Sequence, residues 1–313
     1  MYQDFKKEFR SLTHSSRLVN KLYSQLNIVK ARALSIIDDE TFARIKYWEA
    51  TGKKLNLENP ITFNEKLWWL KFNYRHPLMT QCSDKVKVRD YIESIGLGDI
   101  LTNIAGVYSR VEDIPFNQLE GKFFIKCNHV SGTNAVYDSN KPNAFNYPKF
   151  KREFNTALRK NYYYQSREWN YKNIEPKIIV ERFIETESNL LDYRFFCFHG
   201  EVKLIFVDID TASENGKHNP DAKRNVYNRN FELQEYTVGR KNFNSDLIQK
   251  PANLNQMIKV AEDIAEPFPF CRIDLYNVSG EIKFGEVTFY PGGAAQEFSS
   301  KESDLMVASW LKL

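Results

Sequence analysis

Read from its apolar positions, the 313-residue chain switches repeatedly between a helical and a strand period. ITFNEKLWWLKFNYRHP opens on Thr62 and Glu65, a capping-box spacing, and predicts a helix whose Trp68 and Trp69 serve packing. CSDKVKVRDYIESIG predicts a second helix, capped by Ser83 or Asp84 and stopped at Gly96, with Lys85 and Arg89 four apart on one face. NLNQMIKVAEDIAEPF is amphipathic and ends before Pro267. LTNIAGVYS, GKFFIKCNHVSGTNAVY and KIIVERFIE read as strands. DYRFFCFHGEVKLIFVDID reads as a hairpin turning at His199-Gly200. TASENGKHNPDAKR, residues 211–224, is polar and turn-rich and predicts a mobile loop. Residues 1–60 predict a basic helical extension, with SRLVNKLYSQLNIVKARAL as its clearest amphipathic piece. Hairpins interspersed with helices favour an α+β fold.

The hairpin CRIDLYNVSGEIKFGEVTF carries two acids in apolar strands, Asp274 and Glu286. Buried carboxylates need partners. Strand alternation puts Arg272 and Asp274 on one face, and Glu286 and Thr288 on one face. The faces coincide in an even register, such as Arg272 opposite Glu286, or in another register if Gly285 forms a bulge. The acids then either share a divalent metal or form a structural Arg–Asp–Glu network. Lys126 sits on a strand just before SGTN (Ser131, Gly132, Thr133, Asn134), which suits an ammonium and backbone N–H groups around phosphates. No GxxxxGK[ST] loop is present. Glu181 terminates a β-branched run.

Composition adds limits. The 42% hydrophobic content describes a globular chain, and the formal charge of +4 is too mild to point to nucleic acid. Cys82, Cys127, Cys197 and Cys271 form no CxxC pair, as expected of free thiols in a reducing compartment. The charged N-terminus lacks a secretory h-region, and no apolar run reaches 18 residues. These features predict a cytoplasmic protein, with the N-terminal helix offering peripheral contact at the inner face of a membrane.

DKVKVR at 84–89, FFIKCNHVSGTN at 123–134, IIVERFIE at 178–185, DYRFFCFHGEVK at 192–203 and FCRIDLYNVSGEIKFGEVTFYPGG at 270–293 occur in one consistent order. Together they resemble the TupA-like ATP-grasp proteins, associated with bacterial cell-surface polysaccharide biosynthesis, over residues 60–300. The resemblance implies ATP held between two α+β subdomains, 123–185 and 186–313, preceded by a 61–122 lead-in. It implies that Lys126 contacts phosphates under the SGTN loop, with Lys85 and Lys203 as further cofactor contacts. Glu181, Arg182 and Phe183 would contact adenine, and Asp192 or Glu187 the ribose. Asp274 and Glu286 would bind Mg²⁺, with Thr288 where many relatives carry asparagine. Arg272 would face the transferred phosphoryl group. Arg89, His129, Arg194 and Arg224 are candidates for the anionic substrate, Arg194 also for catalysis.

The implied activity is an ATP- and Mg²⁺-dependent ligase that activates a carboxylate as an acyl phosphate for attack by an amine. A uronic acid or amino acid is the expected substrate, and polysaccharide-assembly proteins are the expected neighbours. A glycan kinase or glycosyltransferase is an alternative, although DID at 208–210 is read as a strand end rather than a DxD site. A non-catalytic ATP-binding scaffold is the remaining alternative.

Overall fold

The computed structural model describes residues 36–186, 190–211, 216 and 219–313. The amphipathic stretch 16–34, Glu187 and much of the 211–218 loop lie outside the described residues.

The N-terminal helices are α1 (Asp39–Thr51), α2 (Phe63–Asn73), α3 (Pro77–Ser83) and α4 (Val88–Ser94). The expected capping box forms at the start of α2: Thr62 accepts from the Glu65 amide, and Glu65 accepts from the Thr62 amide. The helix expected across 82–96 is broken instead. Asp84 Oδ1 accepts from the Val86 amide at 2.9 Å and from Asn128 Nδ2 at 2.9 Å. The carboxylate thereby orders a turn over residues 85–87, and α4 begins only at Val88. Lys85 lies on that turn and Arg89 on the helix.

A first antiparallel sheet follows, from β1 (Ile104–Tyr108), β2 (Lys122–Cys127), β3 (Asn134–Asp138) and β4 (Ile178–Arg182), in the order β1-β4-β2-β3. β1 falls in the 61–122 lead-in yet pairs with β4, so this sheet reaches back beyond residue 123. Helices α5 (Tyr147–Leu158) and α6 (Tyr163–Ser166) lie in the long excursion between β3 and β4. α5 buries Phe150, Phe154 and Ala157 with Phe123, Ile125 and Val180 of the sheet. The other sheet face, with Lys126 and Glu181, is left for a cleft.

The second sheet is built from β5 (Asp192–Phe198), β6 (Glu201–Ile209), β7 (Lys223–Asn228), β8 (Phe270–Val278) and β9 (Glu281–Thr288), with the order β7-β6-β5-β8-β9. β7 opens at the end of the expected 211–224 loop. α7 (Leu254–Ala265), α8 (Lys301–Trp310) and the N-terminal helices share this sheet's core, including Phe63, Phe198 and Phe270. Both hairpin turns use two left-handed residues, His199-Gly200 and Ser279-Gly280, which match the twist of the strands.

Register in the last hairpin follows the bulge alternative. Arg272 pairs with Thr288 rather than Glu286, and Asp274 pairs directly with Glu286. Leu275 then pairs with Phe284, so Gly285 is the extra residue. A methyl group on Gly285 would lie 2.9 Å from the Asp274 carbonyl oxygen. Gly285→Ala should therefore cost about 1–3 kcal/mol of stability, read as a lower urea midpoint with an unchanged m-value.

Candidate active site

One face of the second sheet carries a row of charges across all five strands. From β7, Arg224 makes a bidentate pair with Asp208 of β6, Nε to Oδ1 at 2.5 Å and Nη2 to Oδ2 at 2.7 Å. Arg194 of β5 reaches Asp192 at 3.0 Å, Asp208 at 3.3 Å and Asp274 at 3.8 Å. On β8, Arg272 grips Asp274 through Nε at 2.6 Å and Nη2 at 2.7 Å, and Nη2 also reaches Glu286 Oε1 at 3.0 Å. Thr288 donates to the same Glu286 oxygen at 3.2 Å. Burial pushes the Asp274 carboxyl above its usual value despite Arg272 and Arg194. At Glu286 burial also pushes up, but Arg272 and Lys85 outweigh it and hold the carboxyl below its usual value. The Glu286 side chain remains 42% exposed, whereas Asp274 is 9% exposed.

The facing wall comes from the first sheet and the turn before α4. Lys126 and Glu181, on neighbouring strands, meet with Nζ–Oε2 at 2.8 Å. The Lys85 ammonium donates to the Val130 carbonyl at 3.0 Å. Burial lowers its pKa, and Glu286 works against that shift. Arg89 Nη2 donates to the Thr102 carbonyl at 2.8 Å. These four groups line one narrow cleft with Glu286 and Gly285. Cations stand on one wall and an opposed carboxylate pair on the other, an arrangement suited to a metal-bound polyphosphate.

The family pattern described as TupA-like ATPgrasp matches residues 65–312. The chain belongs to the TupA-like ATP-grasp family. Its fold is the α+β ATP-grasp fold. Among solved structures, D-alanine–D-alanine ligase from Bacillus anthracis is 16% identical with a TM-score of 0.38, covering 67% of this chain and 57% of that one. The L-amino acid ligase from Bacillus licheniformis is 14% identical with a TM-score of 0.42, covering 70% and 46%. D-alanine–D-alanine ligase from Helicobacter pylori is 13% identical with a TM-score of 0.42, covering 80% and 69%. Likenesses this loose add nothing to the family assignment. No curated protein matches the chain.

ATP-grasp proteins are expected to use magnesium, and the donors here fit it. Two carboxylates and a hydroxyl are hard oxygen ligands, and Mg²⁺ characteristically takes one or two carboxylates plus substrate phosphates. Among the described residues no group of three or more His, Cys, Asp or Glu converges, so the protein alone would not fill the coordination shell. Arg272 already engages both Asp274 oxygens, so the structural network and the candidate metal pair are the same residues.

Several expected contacts fall elsewhere. His129 is 2% exposed and bonds Asn128 Oδ1 and the Ala157 carbonyl, each at 3.1 Å, so it is packed under α5 rather than open to substrate. Lys203 pairs with exposed Glu201 near the far turn of β6, beside Gly200 and Arg229, and does not line the cleft. Arg182 turns to the opposite sheet face, where it lies 4.6 Å from the Phe123 ring centroid and bonds the Glu120 carbonyl. The Phe183 ring takes the Lys122 ammonium at 3.9 Å. Ser131 and Gly132 are exposed on the β2–β3 turn, with Thr133 half-buried and Asn134 opening β3. Arg224 is buried in its ion pair, and Asp192 is held by Arg194.

Sequence reasoning passed over Asp208 as a strand end and missed Arg240. Asp208 is fully buried and also takes Arg240 Nη1 at 2.7 Å. Its signal was position: it shares a strand face with Phe206, across from Asp192. Burial pushes the Asp208 carboxyl up, but Arg224, Arg194 and Arg240 outweigh that and hold it below its usual value. A depressed carboxylate contributes stability above its unfolded pKa of about 3.9, and loses it as pH falls through the folded value. Asp208→Asn should therefore cost about 3–5 kcal/mol at neutral pH and flatten the acid limb of stability against pH, measured by urea unfolding.

Proposed function

We propose that this protein is an ATP- and Mg²⁺-dependent carboxylate ligase. The observation that carries the reading is the polarity of the cleft. Lys85, Arg89 and the Lys126–Glu181 pair face Glu286, which stands directly opposite Asp274. Like charges opposed across strands repel. Arg272 and Arg194 hold Asp274, whereas Glu286 shares one Arg272 nitrogen and stays half-exposed at the cleft, so Glu286 is the acid left open to a cation.

In this reading Asp274, Glu286 and Thr288 would hold magnesium, which supplies charge neutralisation for the γ-phosphoryl group as it moves to the substrate carboxylate. Lys85 and Lys126 orient the phosphates from the other wall. For Lys126 this means exchanging Glu181 for a phosphate oxygen. Arg272 lies beside the acids, where negative charge develops on the transferring group and on the carbonyl under attack. An amine from the second substrate then displaces phosphate and forms an amide. The SGTN turn, exposed at Ser131 and Gly132, is a candidate cover that would keep water from the acyl phosphate. Asp192 remains the candidate for ribose. The substrate is a uronic acid or amino acid destined for a cell-surface polymer, a reading that rests on the family association with polysaccharide. No helix among the described residues is long and apolar enough to cross a membrane, so contact with a membrane-bound assembly would be peripheral.

ADP and phosphate should appear only when ATP, Mg²⁺, the carboxylate and the amine are all present, measured by coupled assay. Because its side chain is half-exposed, Glu286→Gln should keep the fold and lose about a hundredfold or more in turnover. Turnover equal to wild type in both Glu286→Gln and Asp274→Asn would sink the metal role.

A further inference from the structure

The proposed mechanism leaves two buried charges near the cleft unused. Lys71 on α2 is 1% exposed, and Glu168, on the strap of residues 166–171 that leaves α6, is 5% exposed. The Lys71 ammonium donates to the Gly293 carbonyl at 2.9 Å and to the Ser166 carbonyl at 3.3 Å, and lies 3.8 Å from the Trp68 ring centroid. An apolar side chain would cost less in such a place. Trp68 Nε1 beside it and Asn170 Oδ1 further along the strap are buried and find no partner among the described residues. Packing this incomplete is a mark of function rather than of stability alone.

The two carbonyls belong to opposite sides of the cleft. Gly293 ends the turn Pro291–Gly293, which follows β9 and its Glu286 and Thr288. That turn runs through three left-handed residues, Gly292, Gly293 and buried Ala294, and an alanine takes this conformation only under constraint. α2 supplies the constraint at two points. Asn64 exchanges hydrogen bonds of 2.6 and 2.8 Å with the Gln296 backbone, and Lys71, about two helical turns on, takes Gly293. From Ser166 the strap passes Trp169, bonded to the Tyr74 carbonyl, and Asn170, bonded to Ser83. It ends at Tyr171, which lines the cleft with Glu286.

We propose that Lys71 is a positioning residue of the cleft: its ammonium, held between the turn after β9 and the strap, sets Glu286 and Tyr171 at the spacing that binds a magnesium-nucleotide. The inference takes its ligand from the ligase reading. The groups that face Lys71 are Glu168 on the strap, Tyr290 at 5.3 Å on the turn, and Trp68 on its own helix. Burial pulls the Lys71 pKa down to about 8, with Glu168 working against that shift, and burial pushes the Tyr290 phenol up. The ammonium is therefore present below about pH 8 and lost above it. A neutral amine keeps two donors for the two carbonyls but gives up the attraction of Glu168 and of the Trp68 ring, so the strap loosens.

The test is the magnesium-ATP affinity of the full chain, measured by calorimetry from about pH 7 to about pH 9. Wild type should bind about tenfold less tightly at the upper end. Lys71→Met should already bind about tenfold less tightly at the lower end, with no further fall across the window, while unfolding in urea with the wild-type m-value. Glu168→Gln should move the wild-type fall to lower pH, because the ammonium loses its counter-charge. Lys85 is a second buried ammonium in the cleft, and a fall that it caused would persist in Lys71→Met. The proposal is overturned if Lys71→Met binds like wild type at the lower end, if it keeps the fall, or if Glu168→Gln leaves the fall in place. Wild type that binds no magnesium-ATP at any pH would overturn the ligase reading and this inference with it.

Discussion

Two carboxylates fixed directly opposite each other, Asp274 on β8 and Glu286 on β9, are the constraint around which the rest of the molecule is arranged. Like charges across a strand pair destabilise a sheet unless something spans them. The same sheet contains a second such pair, Asp192 opposite Asp208, and the two are treated differently. Arg194 spans Asp192 and Asp208, and Arg224 and Arg240 add two more guanidinium groups to Asp208. That pair is closed. The Asp274–Glu286 pair has Arg272 within 3.0 Å, Arg194 at 3.8 Å, and one half-exposed carboxylate at the cleft. The sheet is thus saturated with cations at one end and left short of them at the end that faces the first subdomain.

Holding the opposite wall in register falls to a set of buried polar contacts. Asn128 at the end of β2 donates to Asp84 and accepts from the Lys177 amide, so one amide ties the Lys85 turn to both central strands of the first sheet. The chain leaving α6 is then fastened to the N-terminal helices: Arg167 to Asp39 at 2.8 Å, Trp169 Nε1 to the Tyr74 carbonyl at 3.2 Å, and Asn170 to Ser83 at 2.6 Å. Lys71, buried on α2, donates to the Ser166 carbonyl at 3.3 Å and the Gly293 carbonyl at 2.9 Å. One ammonium therefore touches the strap from the first subdomain and the turn that follows β9. Its pKa is pulled down to about 8 by burial, and burial pushes buried Glu168 up to about 7. The helices before the first sheet join the second sheet's core through Phe42, Phe63, Leu67 and Trp68, and they carry this clamp as well.

What could be read from the sequence follows from how local each cause is. The hairpin turns and the capping box depend on a few adjacent residues, so the letters suffice. The letters left the register of the last hairpin open between an even pairing and a bulge at Gly285, and the structure takes the bulge. The α+β class and the meeting of Lys126, Glu181 and Glu286 in one cleft followed from ordered motifs. The break before α4 was not legible, because the Asp84 carboxylate that orders the turn is held in place by Asn128, 44 residues further on. His129 and Lys203 were misjudged for a related reason. Residue type reveals that a side chain can meet an anion, but the packing of α5 and the far end of β6 decides whether it does. Asp208 was seen and dismissed as a strand end, since its three arginines come from positions 194, 224 and 240.

Charge balance explains why the two halves of the cleft need each other. On the second sheet three arginines, Arg194, Arg224 and Arg272, together with Arg240 from the segment after β7, stand with four acids, Asp192, Asp208, Asp274 and Glu286. The row is neutral in sum, and for that reason it tolerates burial. A dication added to it alone would leave an uncompensated charge in a poorly solvated place. On the facing wall Lys126 is neutralised by Glu181, while among the described residues Lys85 and Arg89 donate to backbone carbonyls. Polyanion added there alone would face the Glu286 carboxylate. In the proposed reading Asp274 and Glu286 would hold magnesium and Lys85 and Lys126 the phosphates, so a magnesium-bound polyphosphate would satisfy both walls together. Sheet parity, the bulge at Gly285 and the Lys85 turn matter to function because they bring these two incomplete charge sets into one cleft.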